Sequence, residues 1–229
     1  MAALDDRDPQ FLALLESAAH LQRLVPGAVL VGGSAAILYA DHRESRDHDH
    51  VVADLADRFE MVLEAVEEDE GWATNRVAPG KVILGNLDGI EAGVRQMLRK
   101  TPLEVTAVTV PSGGEVTVPT LEETLRIKAF LIVRRNQTRD YLDLAALADH
   151  IGAERAAQVL SGIDDYYADQ NESDEGIASQ LVRQLSEPSP ADRSVIDQLS
   201  SYRRLRKRWS DWGAVTEVLS SVAARMAEQ

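Results

Sequence analysis

Residues 9–23, which open Pro-Gln-Phe-Leu-Ala-Leu-Leu, place apolar positions at helical spacing, and Pro26-Gly27 ends that element. The short apolar run Ala28-Val-Leu-Val31 then reads as a strand. Ser34 is expected to cap a short helix through Ala35-Ala-Ile-Leu-Tyr39. Asp47-His-Asp-His-Val-Val52 alternates as a strand with two different faces does. The pattern further predicts a helix over 55–69, strands around 72–77, 81–84, 103–110 and 115–118, and a helix at about 90–100. Pro79-Gly80 and Ser112-Gly113-Gly114 supply turns. From Thr120 the texture changes: Thr120-Leu-Glu-Glu123 is a capping-box sequence, and most of the remaining chain has helical spacing. Helices are expected at about 121–135 and 139–151, with more after the acidic segment Asp164 to Glu175 and the Pro188-Ser-Pro190 break. The expected architecture is an α/β (α+β) mixed sheet with flanking helices over 1–118, followed by a mostly helical region over 119–229 that contributes to the active-site cleft.

Composition removes several classes. There is no cysteine, so disulfide scaffolds, zinc fingers and cysteine nucleophiles are excluded together. The start, Met1-Ala-Ala-Leu-Asp-Asp-Arg-Asp, has no apolar signal core, and no run approaches the roughly 18 apolar residues of a membrane span. A cytoplasmic protein without a membrane partner is expected. With 38 acidic against 24 basic residues the formal net charge is −14, which opposes general adhesion to nucleic acid. An RNA substrate would need a local basic patch. Arg134, Arg135 and Arg139 form one such cluster and Tyr202-Arg-Arg-Leu-Arg-Lys-Arg-Trp209 another, the ordinary alternative being solvated helix faces.

The chemistry concentrates between Gly32 and Asp49. Two carboxylates at i and i+2 of a strand share a face, with Cα atoms about 6.5 Å apart. Asp47 and Asp49 meet that condition, and their repulsion of about 2–3 kcal/mol at an effective dielectric of 20 calls for a cation. Mg²⁺, hard and oxygen-seeking, suits it, with Mn²⁺ as the alternative ion. Upstream, a strand ending in Gly32-Gly33-Ser34 and opening a helix turns backbone N–H groups toward an anion with no Cβ in the way, and the Ser34 hydroxyl is expected to add a donor. Either half alone is a weak signal; a phosphate cradle followed by paired carboxylates is the apparatus of metal-assisted nucleotidyl transfer. His48 and His50 alternate with the acids and are expected to point away from them, which excludes a shared transition-metal site.

Gly33-Ser34 followed after twelve residues by Asp47-His48-Asp49 resembles the signature of the nucleotidyltransferase superfamily. Gly32-Gly33-Ser34-Ala35, with Arg43 and Ser45 just before Asp47, is similar more closely to the AbiEii/AbiGii toxin family, which includes the MenT-type toxins. Members usually place apolar residues where this chain has His48 and His50. The resemblance spans residues 30–152. It implies a third metal-binding carboxylate on a neighbouring strand, for which Glu104 is the candidate; the alternative is a surface glutamate on an edge strand. It also implies a helical lysine, as at Lys128, then an Arg-Asp-x-x-Asp-Leu segment, as at Arg139-Asp140-Tyr-Leu-Asp143-Leu144.

Helical geometry bears on these positions independently. Leu121, Leu125, Lys128 and Ile132 fall within about 60° of one another, so Lys128 sits on an apolar stripe, with Glu122, Glu123, Arg126 and Arg134 opposite. It either snorkels to the surface or reaches a cleft to neutralise triphosphate. Asp140 and Asp143 share a face with Leu144, Leu147 and Ile151, and such acids need partners. By the resemblance one of them is the later catalytic acid, a base for the acceptor hydroxyl; capping near Thr138, or salt bridges to Arg135 or Arg139, are the alternatives.

The expected reaction is attack by an acceptor hydroxyl on the α-phosphate of a nucleoside triphosphate, with pyrophosphate leaving. Likeness to MenT-type toxins implies a tRNA 3′ end as acceptor and a cognate antitoxin as partner, in a toxin–antitoxin or phage-defence pair. A protein or aminoglycoside-like small-molecule acceptor is the second reading, and a non-catalytic nucleotide-binding module the third.

Overall fold

The computed structural model describes residues 7–202 and 204–229; residues 1–6, and Arg203 of the second basic run, lie outside the described residues. The chain divides into two compact units: the first is the chain up to Ala35 together with Ser45–Thr120, the second Ala36–Glu44 together with Leu121–Gln229. The sequence pattern assigns all of 1–118 to one domain, yet a nine-residue piece around His42 belongs with the helical part.

In the first unit, helix α1 (Pro9–Leu24) precedes strand β1 (Val29–Val31), and helix α2 (Gly32–Ala40) begins directly at β1's end. Strand β2 (Asp47–Val52), helix α3 (Phe59–Glu67) and strands β3 (Trp72–Ala78), β4 (Val82–Leu87) and β5 (Ile90–Gln96) come next. They form a five-stranded sheet in the order β1-β2-β5-β4-β3, with β2 and β5 parallel and the other pairs antiparallel. The sheet is therefore mixed. Strands β6 (Val105–Thr109) and β7 (Glu115–Pro119) make a separate two-stranded ladder. One face of the five-stranded sheet buries Leu21, Val25, Phe59, Val62, Ile83 and Val94 in a single cluster.

Two expectations fail here. The segment 90–100 is not a helix: Ile90–Gln96 is β5, an interior strand bonded on both sides. Asp88 and Gly89 adopt positive φ (52° and 85°) and turn the chain tightly from β4 into it. Nor is Ser34 the cap of α2, since the helix already starts at Gly32, whose φ of +76° suits glycine.

The second unit is helical: α4 (Leu121–Arg135), α5 (Thr138–Ile151), α6 (Ala153–Ser161), α7 (Ile163–Tyr167), α8 (Ile177–Ser186) and α9 (Trp212–Ala227), with 3₁₀ turns between the later ones. Its core includes Leu125, Phe130, Leu144, Leu147, Leu181 and Leu219, with Phe130 and Tyr167 stacked at 4.1 Å. α4 is buried on more sides than its stripe predicts, because Glu123 and Arg126 are also inside, paired at 2.6 Å. Among the described residues no helix is long and apolar enough to cross a membrane.

Candidate active site

The site in the first unit is a consequence of register. Val31 pairs with Asp49, so the turn after β1 starts beside that carboxylate. A Cβ on Gly32 would stand 3.7 Å from Asp49 Cβ and Oδ2, ordinary contact in space, so glycine is required there by its φ rather than by crowding. Gly32, Gly33 and Ser34 form the first turn of α2, whose N–H groups have no intrahelical acceptor. Strand β2 alternates as expected: Asp47 is exposed and Asp49 half-buried on one face, while His48 and His50 are fully buried on the other.

The Ser34 hydroxyl is not the free donor anticipated. It is 1% exposed and donates to the Asp47 carbonyl at 2.7 Å, tying the glycine turn to β2. Its backbone N–H remains on the helix's first turn. Ser45 fixes the other side of Asp47, donating to Oδ1 at 3.2 Å.

Strand β5 completes this face with residues that the helical reading of 90–100 concealed. The parallel register sets Glu91 beside Asp47 and Gly93 beside Asp49. A Cβ on Gly93 would lie 2.7 Å from Asp49 Oδ1 and 3.0 Å from Leu84 Cδ2, so only glycine leaves room for the carboxylate. Two residues on, Arg95 Nε donates to Asp49 Oδ1 at 3.1 Å.

Glu104 does not take the place expected of it. It is exposed, precedes β6, and β6 pairs with β7, whereas the neighbours of β2 are β1 and β5. Among the described residues no three His, Asp or Glu side chains are grouped to hold a metal ion.

On the far face, His48 Nε2 lies 3.0 Å from Ser17 Oγ, and neither ring nitrogen of His50 has a hydrogen-bond partner. Burial pushes His48 down to about 4, against the pull of Asp47, and holds His50 well below the usual histidine value, with His48 adding to the effect.

The second unit gathers the remaining predicted residues into one buried cluster. Asp143 accepts from Arg43 Nε on Oδ1 (2.8 Å) and Arg43 NH2 on Oδ2 (3.1 Å), with Lys128 Nζ 2.7 Å from Oδ2. His42 Nε2 reaches Oδ1 at 2.7 Å. Asp140 is bound at both oxygens by Arg135, at 2.6 and 2.8 Å, and lies 3.6 Å from Lys128 Nζ. Lys128, Asp140 and Asp143 are each 1% exposed or less.

Burial works against the charge of Asp143, but Arg43, Lys128 and His42 outweigh it and hold the carboxyl well below the usual carboxylate range. His42 is itself pushed down by burial, ahead of the opposing pull of Asp143. It is therefore neutral at pH 7 and donates from Nε2, because a carboxylate can only accept. The expectation that Asp140 or Asp143 acts as a base is corrected on these grounds. Both are sealed and saturated with donors, and Asp143 resists protonation. Lys128 is likewise committed to carboxylates, which decides against the snorkelling alternative.

The predicted RNA-binding arginines separate. Arg135 serves Asp140, Arg134 pairs with Glu172 at 2.8 Å, and Arg139 is exposed without a carboxylate among the described residues. In the second basic run Arg206 pairs with Asp41 and Arg208 with Asp149, both at 2.9 Å, while Trp209 is buried. The described basic side chains of that run are exposed, two of them in solvent-exposed ion pairs.

Comparison with known proteins gives the family and the fold. Residues 13–214 match the family model described as nucleotidyl transferase AbiEii toxin, type IV toxin–antitoxin system. In structure the chain is similar to MenT4, a nucleotidyltransferase toxin of Mycobacterium tuberculosis H37Rv, with TM-score 0.59 and 16% identity over 96% of this chain and 83% of that one. It is also similar to a putative nucleotidyltransferase from Helicobacter pylori, with TM-score 0.50 and 16% identity over 97% and 96%. At these identities the likeness establishes the fold. In sequence the chain is 34% identical over 184 residues to the heme uptake protein MmpL11 of Mycobacterium tuberculosis H37Rv, which covers 79% of this chain and 17% of that protein. The chain thus spans about a sixth of that curated relative's length. With the family model spanning most of the chain and the fold in agreement, the chain belongs to the AbiEii nucleotidyltransferase toxin family.

Proposed function

We propose that the protein transfers a nucleoside monophosphate from a triphosphate to the 3′-terminal hydroxyl of an RNA of the tRNA class, as a toxin held in check by a cognate antitoxin. The observation that carries the transferase half is the shared face of Asp47, Asp49 and the Gly32-Gly33-Ser34 turn. The acceptor rests on the family resemblance, and Arg139 is an exposed cation that suits it.

A divalent cation fits the residues present. Asp47 and Asp49 are accessible, Ser45 orients one, and the gap over Gly93 accommodates the other. Two carboxylates are enough for Mg²⁺, which keeps several waters and takes its remaining ligands from substrate phosphates. When bound, Mg²⁺ would neutralise phosphate charge and make the α-phosphorus a better electrophile. The chain's own part is to hold the triphosphate by the N–H groups of the glycine turn and to align it against the two acids. The acceptor oxygen bonds to the α-phosphorus as its proton passes to water, and the α–β bridging P–O bond breaks with its electron pair leaving on pyrophosphate.

The test is incubation with each labelled nucleoside triphosphate, Mg²⁺ and total RNA, with and without Asp49→Ala. Label in a discrete RNA band that the substitution abolishes is the expected result. Label confined to protein or to an aminoglycoside would move the acceptor to that class, and no label anywhere would leave a nucleotide-binding module.

A further inference from the structure

We propose that Arg95 is a built-in substitute for the cation on Asp49: guanidinium and divalent ion compete for one carboxylate, and the ion's arrival releases the guanidinium to the triphosphate. The inference rests on the reading that Asp47 and Asp49 hold a divalent ion.

The two acids are not equivalent. Asp47 receives a neutral hydroxyl from Ser45, whereas Asp49 receives the charged Nε of Arg95 at 3.1 Å. The second contact is built by the sheet. β5 runs parallel to β2 with Gly93 beside Asp49, and a Cβ at 93 would overlap Asp49 Oδ1. The carboxylate therefore lies across β5, and Arg95 projects from the same face two residues later. Interior strands hydrogen-bonded on both sides fix that relation in a way a loop would not.

The pair is also easy to open. Arg95 and Asp49 are 46% and 34% exposed, so water screens their attraction, and pairs of this kind add little to stability. A divalent ion carries twice the charge on a smaller radius and binds the same oxygen more strongly. Once displaced, Arg95 keeps its donors on the face where the glycine turn presents its N–H groups, and a guanidinium matches phosphate oxygens in a two-pronged geometry. The exchange conserves charge compensation throughout: Asp49 always has a cation, and the guanidinium moves from one anion to another. Arg95 is thus a positioning residue that couples ion binding to triphosphate binding.

Mn²⁺ alone, titrated into the full chain by electron paramagnetic resonance without nucleotide, separates the possibilities. Asp49→Asn should abolish tight Mn²⁺ binding. Arg95→Gln should bind Mn²⁺ about two- to fivefold more tightly than wild type, because the competitor is gone. At saturating Mn²⁺ the same variant should bind a non-hydrolysable triphosphate several-fold more weakly, and Arg95→Lys should fall between the two. Unchanged or weaker Mn²⁺ binding by Arg95→Gln, with Asp49→Asn behaving as stated, would overturn the exchange and leave the metal reading standing. Mn²⁺ binding by Asp49→Asn equal to wild type would sink the metal reading and the exchange together.

Discussion

The two units handle buried and exposed charge in opposite ways. The first leaves its carboxylates accessible on one face of β2 and keeps the buried rings of His48 and His50 neutral on the other, even at the cost of hydrogen bonds for His50. The second buries Asp140 and Asp143 outright and surrounds them with Lys128, Arg43, Arg135 and His42. Charge left accessible next to glycines is available to a ligand. Charge that is sealed and fully paired is committed to the fold, and removing one partner exposes the whole desolvation cost of the other. Apart from His42, these residues come from motifs that sequence alone marks as chemical, and only burial and pairing separate the two kinds.

The sharpest way to break the comparison is Asp49→Ala. Losing an accessible carboxylate proposed to hold the divalent ion should lower nucleotidyl transfer by about a thousandfold, some 4 kcal/mol of transition-state stabilisation, with unfolding stability changed by less than about 1 kcal/mol. Turnover measured beside a urea unfolding curve checks both halves. A variant with near-normal turnover would show that β2 is not the catalytic strand.

Lys128→Met should do the reverse. It leaves Asp143 with one fewer cation in a site without solvent, which typically costs about 3–5 kcal/mol. The expected readout is a large drop in the urea midpoint. If the midpoint holds while triphosphate affinity collapses, Lys128 belongs to the nucleotide after all, and the second unit is a functional surface rather than a sealed one.

How far the sequence could anticipate this differs from element to element. β2 and its acids were legible because a period of two is unmistakable in Asp-His-Asp-His, and α4 and α5 because their apolar stripes are long. β5 was not: Ile90, Val94, Met97 and Leu98 recur at helical spacing, and Glu91, Ala92, Arg95 and Gln96 favour helix or tolerate it. Hydrogen bonding on both sides within the sheet overrides that preference. Gly93 and Arg95 were lost with it, since their partnership with Asp49 exists only in the parallel register. His42 was missed because its partner, Asp143, is 101 residues away and nothing local marks the pair. Glu104 was misplaced for a related reason: adjacency in the sheet does not follow order along the chain.

Acid should sharpen the contrast. His48 and His50 are neutral when folded, but in the unfolded chain they take up protons from about pH 6.5 downward. Their contribution is therefore complete above about pH 6.5 and is lost as pH falls; for His48, whose folded value is about 4, the loss between those limits is about 3 kcal/mol. Asp143 loses its contribution in the same direction but in a lower pH window. Its depressed carboxyl stabilises the second unit at every pH above the usual carboxylate range, and that support goes only as pH drops towards its lower folded value. His42 adds one histidine-type loss to the second unit against two in the first. Trp72 reports the first unit, and Trp209 and Trp212 the second, so single-tryptophan variants followed from pH 7 to 4 should show Trp72 emission changing first. Coincident transitions would mean that the units unfold as one.

The smallest expected effect concerns the arginines. Arg134, Arg135 and Arg139 are close in sequence, but the contrast between accessible and committed charge divides them. Arg135→Gln should destabilise the second unit, because among the described cations Asp140 would keep Lys128 alone, at 3.6 Å. Arg134→Gln should do little, since its pair with Glu172 is exposed on both sides. Arg139→Gln should leave stability within about 0.5 kcal/mol, because no described carboxylate depends on it. If RNA is the acceptor and Arg139 meets a phosphate, this substitution should reduce the log–log dependence of RNA affinity on salt by about one, weakening binding similarly for all sequences. The measurement is RNA binding by wild type and Arg139→Gln at several salt concentrations. Equal slopes would remove Arg139 from the RNA path, and with the net charge at −14 and Arg134 and Arg135 engaged, an acceptor that is not a polyanion would then fit this surface better.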